Sequence, residues 1–197
     1  MATESRTDRE PKTATEERIR EWTDLVNQGN EHFENKRTVK AEECYLKALA
    51  IAEQLAGIED GSDGDAWRQA KEEDQDRLSK SANNLAALYH SQGKYGLAEE
   101  NYERSLDIKL SLYGEDHRET AINYHNLAML YSARRLYPRA EILYKRTLEV
   151  REKEYGKSHP ELIPVLQNYA LMLKKANRLV EAAAVETRYR TIKETSR

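Results

Sequence analysis

A strict internal period constrains this chain more than any other feature. The stretch Ser81–Leu106 returns almost in step as Asn123–Leu148. The triplet Asn84-Leu85-Ala86 recurs as Asn126-Leu127-Ala128 and, one equal interval further on, as Asn168-Tyr169-Ala170. Self-similarity at a fixed interval of about 20–50 residues marks stacked repeats. One such unit is too small to bury its apolar face alone, so neighbours must stack and share a core.

Each unit carries two helical patterns. In one copy Ala82, Leu85, Ala86 and Tyr89 fall three and four apart, on one helical stripe. Gly93-Lys94 interrupts the pattern and predicts a turn. Tyr95, Ala98, Tyr102, Ser105-Leu106, Leu112 and Tyr113 then form a second stripe. In the next copy the stripes are Tyr124, Leu127, Ala128 and Tyr131, then Tyr137, Ala140, Tyr144, Thr147-Leu148 and Tyr155. Small residues such as Ala86, Ala98 and Ala128 suit close helix crossings, and Tyr102 and Tyr144 fill the space beyond.

This pattern resembles the tetratricopeptide repeat, whose common form has about 34 residues. Leu85, Ala86, Tyr89, Ala98, Tyr102 and Leu106 carry the resemblance, as do Leu127, Ala128, Tyr131, Ala140, Tyr144 and Leu148, and it extends from Trp22 to about Arg190. The period here is longer than that. The extra length is similar to the long repeats of kinesin light chains, whose second helix is longer by about two turns. Tyr113-Gly114-Glu115-Asp116-His117 and Tyr155-Gly156-Lys157-Ser158-His159-Pro160 are similar to the linkers of that subfamily. The resemblance implies an all-α fold, a right-handed α-solenoid of antiparallel helix pairs. About four repeats are expected, near 18–56, 66–114, 117–156 and 159–190 within a solenoid of 16–190.

The flanks and one insertion read differently. Residues 1–15 are polar and are expected to be a disordered tail, with helix from about Thr15. Trp22–Phe33 and Lys40–Ile51 make the first helix pair, with Ala41 and Tyr45 at the places of Ala98 and Tyr102. The interval from Ala41 to Ala98 exceeds the period, so a segment is inserted between them. Gly57–Asp65, with three Gly among Asp and Ser, lies in that insertion and predicts a flexible acidic loop. Ala66–Leu78 has good helix formers and is expected to extend the next helix backward. Asp116 with Glu119 and Ser158 with Glu161 fit capping boxes, and Pro160 suits a first helical turn. Glu186 stands where Tyr102 and Tyr144 stood, which suits an end cap. The basic stretch Arg188–Arg197 is expected to fray, with 191–197 as a C-terminal tail.

Composition excludes several function classes. A net charge of −3 offers no attraction to nucleic acid or a membrane surface. No stretch reaches the roughly 20 apolar residues of a membrane span, and the N-terminus has no apolar core of a signal peptide. One cysteine, Cys44, cannot form an internal disulfide, which suits a reducing, cytoplasmic compartment. No two of His32, His90, His117, His125 and His159 stand three or four apart, so a zinc site is not expected. Asp60, Asp63 and Asp65 lack the spacing of a calcium loop. No phosphate loop, nucleophile site or acid–base pair is visible, so neither a cofactor nor an enzymatic activity is expected.

What remains is an asparagine ladder. Asn84, Asn126 and Asn168 share one place on successive first helices, and Asn27 is equivalent in the first repeat. The resemblance implies that this place faces a concave groove. An Asn amide both donates and accepts, so it can grip a peptide backbone whatever the side chains. It can equally tie one repeat to the next, and both roles remain open. Lys80, Asn83, Ala87, His90, Ile122, His125, Met129, Gln167, Leu171 and Lys174 are the expected neighbours on that face. The expected function is a protein-binding module or scaffold holding a peptide in the groove. The alternative is a structural subunit, such as a homo-oligomer, assembling through its convex face or terminal helices. Some relatives of this repeat class clamp a C-terminal carboxylate with Lys, Asn, Asn, Lys and Arg. Here Asn30 and Asn84 match the asparagines, but Val26, Ile122 and Asn126 stand where the cations would be. An internal peptide segment is therefore expected rather than a free acidic tail.

Overall fold

The computed structural model describes the backbone of residues 10–58 and 65–195, with side chains from residue 14 onward. Eight α-helices lie among the described residues. They are α1 (Glu10–Glu34), α2 (Thr38–Leu55), α3 (Glu72–Ser91), α4 (Tyr95–Tyr113), α5 (Arg118–Ala133), α6 (Tyr137–Tyr155), α7 (Ile163–Lys175) and α8 (Leu179–Thr195), with short 3₁₀ turns at Ala66–Gln69 and Pro160–Leu162. Helix α1 with α2, α5 with α6, and α7 with α8 pack as sequential antiparallel pairs. The chain forms two compact units, Met1–Leu88 and Tyr89–Arg197.

In the first unit α1 packs on α2. The buried face of α2 is Ala41, Tyr45, Ala48, Ile51 and Ala52. Gly29 on α1 faces the ring of Tyr45 so closely that an added Cβ would lie 2.5 Å from its Cε1. The other repeats carry Ala86, Ala128 and Ala170 at that place; only glycine fits against Tyr45 as it sits here. The Trp22 indole N–H donates to Ser81 Oγ on α3 at 2.8 Å.

The expected backward extension of α3 does not form. Ala66–Gln69 is a 3₁₀ turn, Ala70 is extended, and α3 starts at Glu72. Trp67 explains the break, because it is only 2 % exposed. Burying about 150–250 Å² of indole at about 25 cal/mol per Å² is worth roughly 4–6 kcal/mol. Helix propensity over the same few residues is worth less than about 1 kcal/mol each. Gln75 Nε2 then donates to the freed Ala70 carbonyl at 2.9 Å. The expected acidic loop falls largely on residues 59–64, outside the described residues, as do residues 1–9 of the expected N-terminal tail. Helix α1 begins at Glu10, ahead of the expected start near Thr15.

The second unit repeats one construction. Helix α5 packs on α4 and α6, and α7 on α6 and α8. Ala98, Ala140 and Ala182 are fully buried at equivalent places, and Tyr102 and Tyr144 are each 1 % exposed. Each turn within a helix pair closes by paired backbone bonds, such as Leu136 N to Tyr131 O at 2.8 Å and Arg135 N to Ser132 O at 3.1 Å. One residue in each turn has positive φ, namely Gly93, Arg135 and Asn177, with Lys36 in the first unit.

Two further expectations are corrected. The N-caps of α5 and of the Pro160–Leu162 turn are His117 and His159, not Asp116 and Ser158. Each imidazole Nδ1 accepts from the backbone N–H two positions on, Glu119 and Glu161, at 3.2 Å. Tyr113 and Tyr155 stack on these rings at 4.6 and 4.9 Å, so they leave the apolar stripe, and Tyr113 is 40 % exposed. The segment expected as a C-terminal tail is helical as far as Thr195, the end of α8. Ile192, at the place of Ile108 and Val150, is 2 % exposed and holds it down.

Candidate functional site

The faces of α5 and α7 bring three of the expected groove residues together. Asn168 Nδ2 lies 3.0 Å from His125 Nε2 and donates to Met129 Sδ at 3.3 Å. The Asn168 side chain thus ties the fourth repeat to the third. Asn126 on α5, one period before Asn168, is half-buried. Burial, aided by the charge of Arg151, pushes His125 down to about 4, so its ring is neutral at pH 7. Around this node Ile122 is 40 % and Leu171 51 % exposed, and Gln167 is exposed. The α5–α7 face is therefore mixed, with an amide-rich centre and apolar residues beside it.

The other expected residues are placed as follows. His90 packs edge-on against Tyr95 at 6.1 Å, and burial lowers its pKa. Lys174 is exposed but pairs with Glu186 across the α7–α8 pair at 2.6 Å. That contact accounts for Glu186 at a place where α4 and α6 carry tyrosine. In the first unit, Asn27 is exposed, Asn83 and Asn84 are half-buried, and Lys80 pairs with Asp76 at 2.7 Å. Asn30 accepts from the Tyr45 hydroxyl at 2.7 Å, so this asparagine already has a structural partner.

A second recurrent cluster escaped the sequence reading. Glu99 on α4 is paired by Arg134, and Glu141 on α6 by Arg178, in each case from the turn after the next first helix. Tyr131 donates to Glu103 at 3.3 Å and Tyr169 to Glu141 at 3.1 Å, and Lys145 pairs with Glu141 at 2.7 Å. The Arg178 bond, then those of Lys145 and Tyr169, pulls the Glu141 carboxyl down to about 2 against its desolvation. The recurrence of Glu99 as Glu141, one period on, was the available signal. Helix α8 carries exposed Ala183 at the same place. Glu141→Gln should lower stability by about 1–2 kcal/mol, less in high salt because the partners are partly exposed. Denaturant melts at two ionic strengths check both the size and the salt dependence.

The buried polar pair Ser105–Asn123 also went unread. Ser105 Oγ donates to Asn123 Oδ1 at 3.2 Å between α4 and α5. Among the described residues no group of three or more metal-ligating side chains comes together, and no helix is long and apolar enough to cross a membrane. Cys44 is a half-buried free thiol.

The family profile of the tetratricopeptide repeat matches residues 77–153. Among solved structures, the chain is similar to BtubC (BKLC) from P. vanneervenii, with 22% identity, a TM-score of 0.59, and coverage of 94% of this chain and 86% of that one. It is likewise similar to a putative kinesin light chain from Podosopora anserina with nearly identical TPR-like repeats, with 17% identity, a TM-score of 0.59, and coverage of 94% and 96%. At these identities the likeness shows the fold. No curated protein matches the sequence.

Proposed function

We propose, from the premise that this chain is a tetratricopeptide-repeat protein, that it is a non-enzymatic binding module for an internal segment of a protein partner. The α5–α7 face of the second unit is the site. The observation that carries this reading is the node of His125, Met129 and Asn168, flanked by exposed Ile122 and Leu171. Exposed Gln167 adds an amide that both donates and accepts, and the exposed aliphatic side chains supply apolar contact. Charge does not favour a terminal carboxylate there. Ile122 and Asn126 occupy cation places, and Lys174 is neutralised by Glu186.

The test is a display library of peptides acetylated and amidated at their ends. A selected peptide should lose at least about tenfold in affinity with Leu171→Asp or Asn126→Ala, a loss of about 1.4 kcal/mol or more. Val180→Asp on α8 should leave binding unchanged. Binding that demands a free C-terminal carboxylate, or that falls equally with Val180→Asp, would overturn the reading.

One observation favours the structural-subunit alternative. Leu179 and Val180 at the start of α8 are 61 % and 86 % exposed. A concentration-dependent increase in mass, abolished by Val180→Asp, would support assembly through that end.

A further inference from the structure

The linkers before α5 and before α7 are equivalent, and they differ in charge, with Lys157 and Ser158 at the places of Glu115 and Asp116. In the first, Asp116 pairs with Arg146 of α6 at 2.8 Å and with Lys153 at 3.0 Å. The Lys153 bond, with the charges of Lys153 and Arg146, lowers the Asp116 carboxyl below its ordinary range. One period on, Ser158 replaces Asp116, and Arg188 of α8 replaces Arg146. Arg188 keeps the cation of Arg146, whereas Thr195 stands at the place of Lys153 and no carboxylate stands at the place of Asp116.

Ser158 is exposed and lines a cavity of about 490 Å³ together with Glu152, Lys157, Arg188, Thr191 and Ile192. Arg188 is held in this lining by two contacts. It donates to the Lys157 carbonyl, one position before Ser158, at 2.9 Å and pairs with Glu152 at 2.7 Å. Exposed Lys157 supplies a second positive charge on the same lining.

We propose that Ser158 is a phosphorylation site and that its phosphoryl group is received by Arg188 and Lys157. Phosphorylation restores, with a larger charge, the acid that Asp116 provides in the preceding repeat. A phosphoserine carries close to two negative charges and three acceptor oxygens, and a guanidinium matches that geometry with a fork of donors. Glu152 shares Arg188 and offsets part of the attraction, so the cation of Lys157 is needed as well. The donor is a nucleoside triphosphate bound to a protein kinase. The Ser158 Oγ–phosphorus bond forms and the bond from the γ-phosphorus to the bridging oxygen breaks. Nucleoside diphosphate leaves, and the hydroxyl proton passes to the base of the kinase.

The test places phosphoserine at position 158 of the full chain during translation, with the native, Arg188→Lys and Arg188→Gln sequences. Phosphorus NMR follows the second ionisation of the phosphate, and thermal melts follow stability. In the native background the ionisation should lie about half a pH unit or more below that in Arg188→Gln, and Tm should rise by about 2–4 °C over the unmodified chain. Arg188→Lys should be intermediate, and Arg188→Gln should show no rise. Equal ionisation in all three backgrounds, or a lowered Tm in the native one, would overturn the proposal. Millimolar inorganic phosphate added to the unmodified chain should give no Arg188-dependent stabilisation. If it matches the effect of phosphoserine, the cavity is a site for a free anion and the modification reading fails.

Discussion

Replacing Tyr144 with alanine should destabilise the second unit by about 3–5 kcal/mol, the range for truncating a buried aromatic. The ring is 1 % exposed, stacks on Tyr169 at 5.6 Å and approaches His125 at 6.0 Å. It therefore touches the third and fourth repeats at once, and the void cannot collapse without moving both. For a chain of this size the midpoint should fall by about 2–4 °C per kcal/mol, hence by roughly 6–20 °C. Tyr144→Phe keeps the ring and loses only the hydroxyl bond with Ser132, about 1 kcal/mol. A melt of the alanine variant within error of the parent would show that the ring is not the filler described above.

Acidification should weaken the same region through His125. Its folded pKa lies near 4, against an ordinary value of 6.5, because burial disfavours the charged ring and Arg151 repels it. Between those values the unfolded chain binds a proton that the folded chain rejects. Stability therefore rises with pH across the window and is lost as pH falls from about 6.5 to 4, by about 3 kcal/mol in all. Glu141 acts in the same direction at lower pH, since its carboxyl is pulled down to about 2 when folded. The informative quantity is thus the difference between the parent and His125→Gln, which should grow smaller as the pH falls. Parallel stability curves for the two proteins from pH 7 to 4 would remove His125 from the account.

The helix pairs were legible because burial follows the period. Ala86, Ala98, Ala128 and Ala140 are fully buried, and Tyr102 and Tyr144 nearly so. The differences share one cause: a tertiary contact overrides the local chemistry. Ala66–Leu78 has helical propensity, but the buried Trp67 takes its backbone elsewhere. Asp116 has cap chemistry, yet Arg146 and Lys153 claim its carboxylate, and His117 caps instead. Basic residues surround Ile192 and mask its place in the Ile108–Val150 series, which its burial makes plain. On the candidate face, the ladder position of Asn168 was visible, but its bonds to His125 and Met129 required the α5–α7 packing.

The acid that α4 and α6 each offer to the following repeat gives the array a direction of growth. Glu99 awaits Arg134 and Glu141 awaits Arg178, so each later helix pair of the second unit is received by charge from the one before it. Helix α8 offers Ala183 in that place and has given Glu186 to Lys174 in the place of the tyrosine. A copy of residues 117–156 grafted after it would meet neither an anchor for its arginine nor an aromatic surface to stack upon. Lengthening this protein by design thus begins two substitutions upstream of the graft, with Ala183→Glu and Glu186→Tyr.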